Sequence, residues 1–335
     1  MALVPRGPGV RLQPLVRARV AALGDVGQAW VDALPALLAG LSDRWSLRLG
    51  RPLPGGSASY LCTVARADGS AAVLKVALPE VDTAEHADVL RAADGRGYVR
   101  LLEADPGRGA LLLERLGPAL EQSGLDVHER IDVLAATLRQ AWRAPDRPST
   151  DKAASLAAGI RTYAAQAATA VDPGVVERAL AYAAGLSGLE LEPDDLVLVH
   201  GDPHPGNLLR VPVPRAGAET GWCFVDPDPS VADRAYDLGV AVRDFSSALL
   251  AEPGSAASRL WSWCVRVAAP SGVDPGRVWA WALLERVSTG LYVTSFGAPR
   301  VGEPFLRSAA LLVEQGCPGG ADRPWTSGAG DAPGT

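Results

Sequence analysis

Lysine, cysteine and long apolar runs are all scarce in this chain of 335 residues. The four cysteines stand far apart, without the Cys-x-x-Cys spacing typical of zinc and redox sites: Cys62, Cys223, Cys264 and Cys317. No uncharged apolar run reaches the roughly 18 residues of a membrane span, and the N-terminal region lacks the continuous apolar segment of a signal peptide. These absences predict free thiols in a reducing cytoplasm, with no membrane segment and no secretion.

An excess of basic residues is also missing. The chain has 32 lysines and arginines against 38 aspartates and glutamates, which gives a net charge of −6 and a pI near 5.3. Two of the 32 are lysines, so 30 are arginines, and these are scattered along the chain. We therefore expect no nucleic-acid partner, whereas a cationic small molecule is compatible with the acidic balance. The length favours one large domain or two lobes.

The first third of the chain predicts helices followed by a small antiparallel sheet. Residues 1–45 predict a helical extension that packs on the first lobe, because apolar side chains recur there at helical spacing. The lobe itself extends over 46–117, with a helix at 83–94 and a hairpin turn at Asp68-Gly69. Five short apolar runs predict its strands: 46–53, 59–66, 71–78, 98–103 and 110–116.

The rest of the chain predicts a second, mostly helical lobe. Residues 118–315 contain several stretches rich in alanine and leucine at helical spacing, among them 235–251 and 304–315, and they are interrupted by two short strands that flank a loop near residue 200. The segment 316–335 is rich in glycine, proline and alanine and predicts a flexible tail. The fold class expected from this order of elements is α+β.

The segment Val199–Asn207 carries the most informative pattern. Asp202 lies in a loop broken by proline and glycine, and Asn207 follows it five positions later. Asp226 stands nineteen positions after Asn207, at the end of the apolar run 222–225. This layout is typical of kinase-type phosphoryl transfer, in which the first carboxylate accepts a hydroxyl proton. The asparagine and the second aspartate then supply hard oxygen ligands for Mg²⁺.

Lys75 is the second informative residue, because the sequence otherwise uses arginine. It lies inside the apolar strand 73–77, and a compact ammonium on a strand suits contact with the α- and β-phosphates of a nucleotide. The structural alternative is an edge-strand lysine that extends to water. An acidic partner for Lys75 is expected from the following helix, with Glu85 preferred over Asp88.

The glycine-rich segment ahead of Lys75 is a candidate phosphate loop. Gly55, Gly56 and Ser57 lie between the first two predicted strands, where backbone amides could cover the phosphates. The segment does not have the Gly-x-Gly-x-x-Gly spacing, so a plain Gly/Ser turn stays an alternative. No P-loop motif is present in the sequence.

A metal-dependent hydrolase is the rival interpretation of the central loop. His200, Asp202 and His204 alternate as metal ligands on a strand could, although Pro203 and Pro205 disturb that geometry. In the kinase interpretation the two histidines instead hold the loop by hydrogen bonds.

Several motifs together give the chain a family resemblance. It resembles the aminoglycoside phosphotransferases and, more narrowly, the aminoglycoside/hydroxyurea antibiotic-resistance kinases, the group that includes streptomycin 6-kinases. The similarity spans roughly residues 28–312. The motifs that carry it are His200–Asn207, Asp226-Pro-Asp228-Pro with Asp233 and Tyr236-Asp237-Leu238, Leu111–Leu116 and Asp94–Leu101. The sequence departs from the family at two positions. Pro203 stands where the family commonly has leucine, and His86 stands near the position where a glutamate is expected.

The resemblance implies a bilobal protein-kinase-like fold that binds ATP or GTP with Mg²⁺ between its lobes. By position, Lys75 binds the α- and β-phosphates and Asp202 is the catalytic base, while Asn207 and Asp226 hold the metal. The purine is read by the backbone of the segment from Glu114 through Leu116 to Gly117. Asp237 supports the catalytic loop from behind.

The expected function is transfer of the γ-phosphoryl group to a hydroxyl of an antibiotic-like small molecule, of the streptomycin type or hydroxyurea. Two alternatives stay open from the sequence. One is a kinase for an endogenous sugar or amino alcohol, and the other is a nucleotide-binding module without catalysis. We expect a monomer with a small-molecule acceptor, and the acidic charge balance is compatible with a cationic one.

Overall fold

The computed structural model describes residues 11–54, 58–166, 171–295 and 297–320. The chain divides into two compact units, Met1–Leu116 and Gly117–Thr335. The elements of the first unit are α1 (Pro14–Ala22), α2 (Gly24–Trp45), β1 (Arg48–Pro52), β2 (Ser59–Ala65), β3 (Ala71–Ala77), α3 (Thr83–Ala93), β4 (Leu101–Asp105) and β5 (Ala110–Glu114).

The five strands form one antiparallel sheet in the order β1-β2-β3-β5-β4. The β2–β3 hairpin runs in register from Ser59 opposite Ala77 to Ala65 opposite Ala71, so the Asp68-Gly69 turn fixes the pairing. Strand β4 begins three residues later than predicted, and a bulge shifts its register with β5 between Leu101 and Glu103. The predicted five-stranded sheet is otherwise confirmed.

Helix α2 covers one face of this sheet. Its apolar side chains at spacings of four and three residues, Leu34, Leu38 and Leu41, are buried in one cluster with alternate residues of β2 and β3. Leu74 and Val76 belong to that cluster. Because side chains alternate along a strand, Lys75 between them points to the opposite face of the sheet.

The second unit consists mainly of helices. Its helices are α4 (Val127–Ala141), α5 (Lys152–Gln166), α6 (Pro173–Ser187), α7 (Arg234–Arg243), α8 (Ser246–Ala251), α9 (Ala256–Ala268), α10 (Pro275–Ser295) and α11 (Pro299–Gln315). Four short strands accompany them: β6 (Leu196–Val199), β7 (Leu208–Arg210), β8 (Trp222–Phe224) and β9 (Ser230–Asp233). Among the described residues, no helix is both long and apolar enough to cross a membrane.

The strands around the motif loop form two separate ladders. β6 pairs with β9 and β7 pairs with β8, both antiparallel. The sequence predicted strands on both sides of the loop and at the apolar run 222–225, but not β9, whose four residues give too few alternating positions for a sequence pattern to reveal it. The ladders anchor both ends of the loop and the segment around Asp226.

Two helix boundaries differ from the prediction. The helix expected over 235–251 is divided after Arg243, where the Arg286 side chain bonds the last carbonyls of α7. Helix α11 begins at Pro299 and accommodates Pro304 in its interior, whereas we expected it to begin at Pro304. Of the predicted flexible tail, residues 321–335 lie outside the described part of the chain.

Candidate active site

The loop after β6 is held from behind by one buried carboxylate. Asp237 in the first turn of α7 accepts hydrogen bonds from the backbone N–H groups of His200 at 2.8 Å and Gly201 at 2.9 Å. The indole N–H of Trp142 donates to the same carboxylate at 2.8 Å. Burial raises the pKa of Asp237, an effect that these donors oppose. The carboxylate therefore fixes the path of the backbone that leads into Asp202.

The imidazole of His200 links the loop to the end of β8. The ring is fully buried, its Nε2–H donates to the carbonyl of Val225 at 3.0 Å, and its Nδ1 accepts the N–H of Asp202 at 3.1 Å. These two bonds require the neutral tautomer with the proton on Nε2. Burial lowers the pKa of His200 below its ordinary value, which agrees with that assignment.

Gly201 adopts a conformation that only glycine tolerates well at this position. Its φ is +88°, and a Cβ there would lie 1.8 Å from the carbonyl oxygen of Asp228. The N–H of Asp228 donates to the carbonyl of His200 at 2.8 Å, so the two segments run in close contact. This contact brings the segment that follows Asp226 next to the loop that carries Asp202.

Asp202 presents a carboxylate that is held on one side and partly open on the other. Its Oδ1 accepts from the Arg243 guanidinium at 3.0 Å, and the side chain stays 41% exposed. Burial raises the pKa of Asp202, but the charges of Arg243 and His204 outweigh this and keep it below its usual range. The group is therefore an ionised hydrogen-bond acceptor at neutral pH.

Arg243 and Glu285 are part of the site that sequence reasoning missed. The guanidinium is 7% exposed and donates to three carboxylates: Asp202 at 3.0 Å, Asp244 at 2.8 Å and Glu285 at 3.1 Å. The available signal was a pair of charged residues, Glu285-Arg286, inside the apolar pattern of α10. Buried charges are almost always paired, so such positions indicate a partner elsewhere in the fold.

Asn207 and Asp226 lie side by side because of the β7–β8 ladder. Leu208 pairs with Phe224, and the N–H of Val225 donates to the carbonyl of Asn207 at 2.9 Å, one residue before Asp226. The side-chain amide nitrogen of Asn207 donates to the carbonyl of Asp202 at 3.0 Å. This bond assigns the orientation of the amide, whose other terminal atom is the oxygen. Asp226 adopts φ +59°, a left-handed conformation that aspartate tolerates better than most residues.

His204 and Asp244 extend the polar cluster around Asp202. His204 Nδ1 accepts the N–H of Gly206 at 3.1 Å, and its Nε2 lies 3.6 Å from Asp202 Oδ2. Asp244 Oδ2 lies 3.5 Å from His204 Nδ1. Nearby, Lys152, the second of the two lysines, forms an ion pair with Asp228 at 3.2 Å. Asp228 and Asp244 thus both have basic neighbours.

Lys75 and its expected partner Glu85 lie on β3 and α3 of the first unit. Lys75 is 6% exposed and stands between Leu61 of β2 and Leu111 of β5. Glu85 lies in the first turn of α3, where its N–H donates to the N-cap residue Asp82 at 3.0 Å. The pairing of Lys75 with Glu85 stays a prediction.

The expected purine-binding segment follows β5 directly. The Glu114 carboxylate accepts the N–H of Arg100 at 2.8 Å, and the Glu114 N–H donates to the Arg100 carbonyl at 3.0 Å. Leu116 is buried and ends the first unit. Gly55, Gly56 and Ser57, the candidate phosphate loop, lie outside the described residues.

The local geometry disfavours the hydrolase interpretation. Both ring nitrogens of His200 are engaged with backbone groups, so this side chain is not a metal ligand beside Asp202 and His204. Among the residues that the structure describes, no group of three or more His, Cys, Asp or Glu side chains is arranged to hold a metal ion. One aspartate and one asparagine oxygen form a smaller set, which suits Mg²⁺ shared with phosphates.

The fold defines the class of protein. The structure is similar to amicoumacin kinase hAmiN, solved in complex with AMP-PNP, Ca²⁺ and Ami, with a TM-score of 0.59 at 14% identity. The match covers 85% of this chain and 96% of that kinase. A choline/ethanolamine kinase family protein from Mesorhizobium loti matches with a TM-score of 0.58 at 19% identity, over 84% of this chain and 94% of that protein. At these identities the likeness concerns the fold alone, and it confirms the predicted kinase-like α+β architecture.

Sequence comparison gives the family. Residues 44–297 match the aminoglycoside/hydroxyurea antibiotic resistance kinase family, and the chain belongs to it. It is 36% identical over 231 residues to the hydroxyurea phosphotransferase of Kitasatospora aureofaciens, covering 67% of this chain and 65% of that protein. It is 34% identical over 232 residues to the streptomycin 6-kinase of Streptomyces glaucescens, covering 69% and 73%. The chain thus spans just under two thirds of the first relative. The predicted family is confirmed.

Proposed function

We propose that this chain transfers the γ-phosphoryl group of a nucleoside triphosphate to a hydroxyl group of a small molecule. The observation that carries the proposal is the hydrogen-bonded arrangement of Asp202, Asn207 and the segment ending at Asp226 within one unit. A partly exposed, ionised carboxylate beside a pair of oxygen ligands provides a proton acceptor next to a phosphate-metal site.

In this proposal Asp202 orients the acceptor hydroxyl and takes its proton as the new P–O bond forms. The low pKa of Asp202 makes it a weak base, so positioning contributes more than early removal of the proton. General-base groups of this kind contribute about 10²- to 10⁴-fold in rate. A hydrogen bond from Arg243 holds the carboxylate before the substrate arrives, and the bond from the Asp202 N–H to the His200 imidazole holds its backbone.

Asn207 and Asp226 would hold Mg²⁺ through the amide oxygen and one carboxylate oxygen. Both are hard oxygen donors, and Mg²⁺ prefers few protein ligands when phosphates and water complete its shell. When bound, the cation neutralises charge on the β- and γ-phosphates. Lys75, buried on β3, would contact the α- and β-phosphates, and the backbone between Glu114 and Leu116 would read the purine of ATP or GTP.

The acceptor that we propose is antibiotic-like, either a streptomycin-type aminoglycoside or hydroxyurea. Its support is the family and the two relatives, a hydroxyurea phosphotransferase and a streptomycin 6-kinase. An endogenous sugar or amino alcohol is the second candidate, and the same chemistry would serve it. We further propose a monomeric, cytoplasmic protein. Four buried cysteines that form no disulfide support the cytoplasmic location.

An acceptor panel tests the proposal. ADP release is measured with Mg-ATP and streptomycin, other aminoglycosides, hydroxyurea and simple sugars, for wild type and Asp202→Asn. We expect acceptor-dependent ADP release with at least one compound, lost in the variant. Binding of Mg-ATP without turnover for any acceptor would favour the non-catalytic nucleotide-binding module instead. Release only with sugars or amino alcohols would identify a metabolite kinase.

A further inference from the structure

We propose that Arg243 is a positioning residue for Asp202, and that the adjacent residues Glu285 and Arg286 of α10 hold Arg243 in place. The inference rests on the proposed phosphoryl transfer, since it assigns a task to groups behind the proton acceptor. Nothing in the sequence motif around residue 200 indicated these three residues.

The contacts of Arg243 use its three nitrogen atoms for different partners. Nη2 donates to Asp202 Oδ1 at 3.0 Å, Nε donates to Asp244 Oδ1 at 2.8 Å, and Nη1 donates to Glu285 Oε2 at 3.1 Å. Nη1 also lies 3.1 Å from the hydroxyl oxygen of Thr289. A planar guanidinium with several partners has a fixed orientation, so the Asp202 carboxylate is fixed with it.

Glu285 is the buried counter-charge on the far side of Arg243. It is 4% exposed, and the hydroxyl of Tyr236 donates to its Oε1 at 2.7 Å. A carboxylate at this depth requires both a positive partner and hydrogen bonds. Tyr236 itself belongs to the helix that begins behind the loop, and its hydroxyl oxygen lies 3.0 Å from the carbonyl oxygen of Gly201.

Arg286 holds the same residue by its backbone. This side chain is fully buried and donates to the carbonyl of Arg243 at 2.8 Å and to that of Val242 at 3.3 Å. These are the last carbonyls of α7, which have no partner within the helix and favour a positive charge. Two consecutive residues of α10 therefore fix Arg243, one through its guanidinium and one through its main chain.

The consequence for Asp202 is restricted motion. Its Oδ1 is occupied by Arg243, while Oδ2 lies near His204 Nε2 and the Asn207 amide at 3.6 and 3.5 Å. Oδ2 is therefore the oxygen that faces a hydroxyl acceptor. Displacing a reacting group by about 1 Å costs on the order of 10²-fold in rate, so the restraint has a kinetic value.

The test compares Arg243→Lys with Arg277→Lys. Arg277 is a matched control because it also lies in this unit, is 13% exposed and forms a two-pronged ion pair, with Asp195 at 2.8 and 2.9 Å. A lysine ammonium cannot reproduce the hydrogen bonds that either guanidinium makes through several nitrogen atoms. Three quantities are measured for each variant: kcat with the acceptor found in the panel, KM for Mg-ATP, and amide hydrogen exchange of the peptide 200–207.

For Arg243→Lys we expect kcat to fall about 10- to 100-fold while KM for Mg-ATP stays within about twofold. Exchange in the loop should rise about fivefold or more. Arg277→Lys should leave kcat and loop exchange at the wild-type level. Unchanged kcat and loop exchange in Arg243→Lys would overturn the proposal. So would equal losses in both variants, which would show a general structural effect.

Two further arms keep the test decisive. If Arg243→Lys does not fold, Glu285→Gln takes its place, with the same results interpreted in the same way. Hydrogen exchange needs no turnover, so it decides the role of Arg243 even without an acceptor. If the wild-type protein releases no ADP with any acceptor, that result contradicts the proposed function. The hydrogen-exchange comparison then still tests whether Arg243 holds the loop.

Discussion

The carboxylate of Asp237 accepts the backbone N–H of His200 at 2.8 Å, and this single bond joins the start of helix α7 to the start of the loop that carries Asp202. With the bonds from Gly201 and Trp142, three donors converge on one buried side chain. The loop is therefore positioned by a helix terminus behind it and not by its own proline and glycine residues alone.

Replacing Asp237 by asparagine should destabilise the protein by about 2 to 3 kcal/mol. The amide has one acceptor atom, so at least one buried N–H loses its partner. Thermal or denaturant unfolding measures the loss. Asp126→Asn is the matched control, because Asp126 caps α4 from an exposed position and asparagine caps a helix as well as aspartate does. Equal stability of the two variants would contradict the bracing role.

Gly201→Ala should abolish activity and reduce stability by more than the conformational strain alone. A residue with φ of +88° costs about 1 to 2 kcal/mol when it carries a Cβ. The added Cβ also collides with the carbonyl of Asp228, which must move. Gly221→Ala separates the two effects, because Gly221 has φ +78° and open space around it. The account predicts full activity for Gly221→Ala, and similar activity in both variants would argue against the close contact.

His200 should stay neutral in the folded protein at a pH where the same residue of the unfolded chain is already protonated. Its pKa is lowered by burial from an ordinary value of 6.5, so the unfolded chain takes up a proton that the folded chain refuses. The stability from this residue is complete above pH 6.5 and declines as the pH falls, by at most about 1.4 kcal/mol per pH unit. The imidazole C–H resonance in an NMR titration reports the pKa directly. A midpoint at or above 6.5 would refute the buried tautomer.

The four cysteines should resist thiol reagents in the native protein. All four are buried and free, and burial raises the pKa of the Cys62 thiol to about 11. A chromogenic disulfide reagent at pH 8 should detect almost no thiol until denaturant is added, and then four per chain. Rapid reaction of one native thiol would show that the burial of that cysteine is incomplete.

The sequence predicted the elements whose patterns are local. The Asp68-Gly69 turn and the alternation in 71–78 were sufficient for the hairpin that carries Lys75, and Leu34, Leu38 and Leu41 were sufficient for helix α2. Likewise, a spacing of five residues between Asp202 and Asn207 identified the loop, because both residues of the candidate site lie on one short segment.

The sequence did not predict contacts that join distant segments. Arg243 lies 41 residues from Asp202 and Glu285 lies a further 42 away, and no periodicity relates them. The short strand β9 was missed for a similar reason, since it is stabilised by pairing and not by its own composition. Charged residues in buried helical patterns were the usable signal, and they indicate that a partner exists without identifying it.

The central claim is that Asp202 accepts the proton of the acceptor hydroxyl. Its most direct test is kcat of Asp202→Asn with the acceptor found in the panel, measured together with the Kd of Mg-ATP. Asparagine keeps an oxygen for Arg243 but is not a base. We predict a 10²- to 10⁴-fold loss of kcat with Kd within about twofold, while the exposed control Asp132→Asn is unaffected. A variant with kcat within a few-fold of wild type would contradict the account.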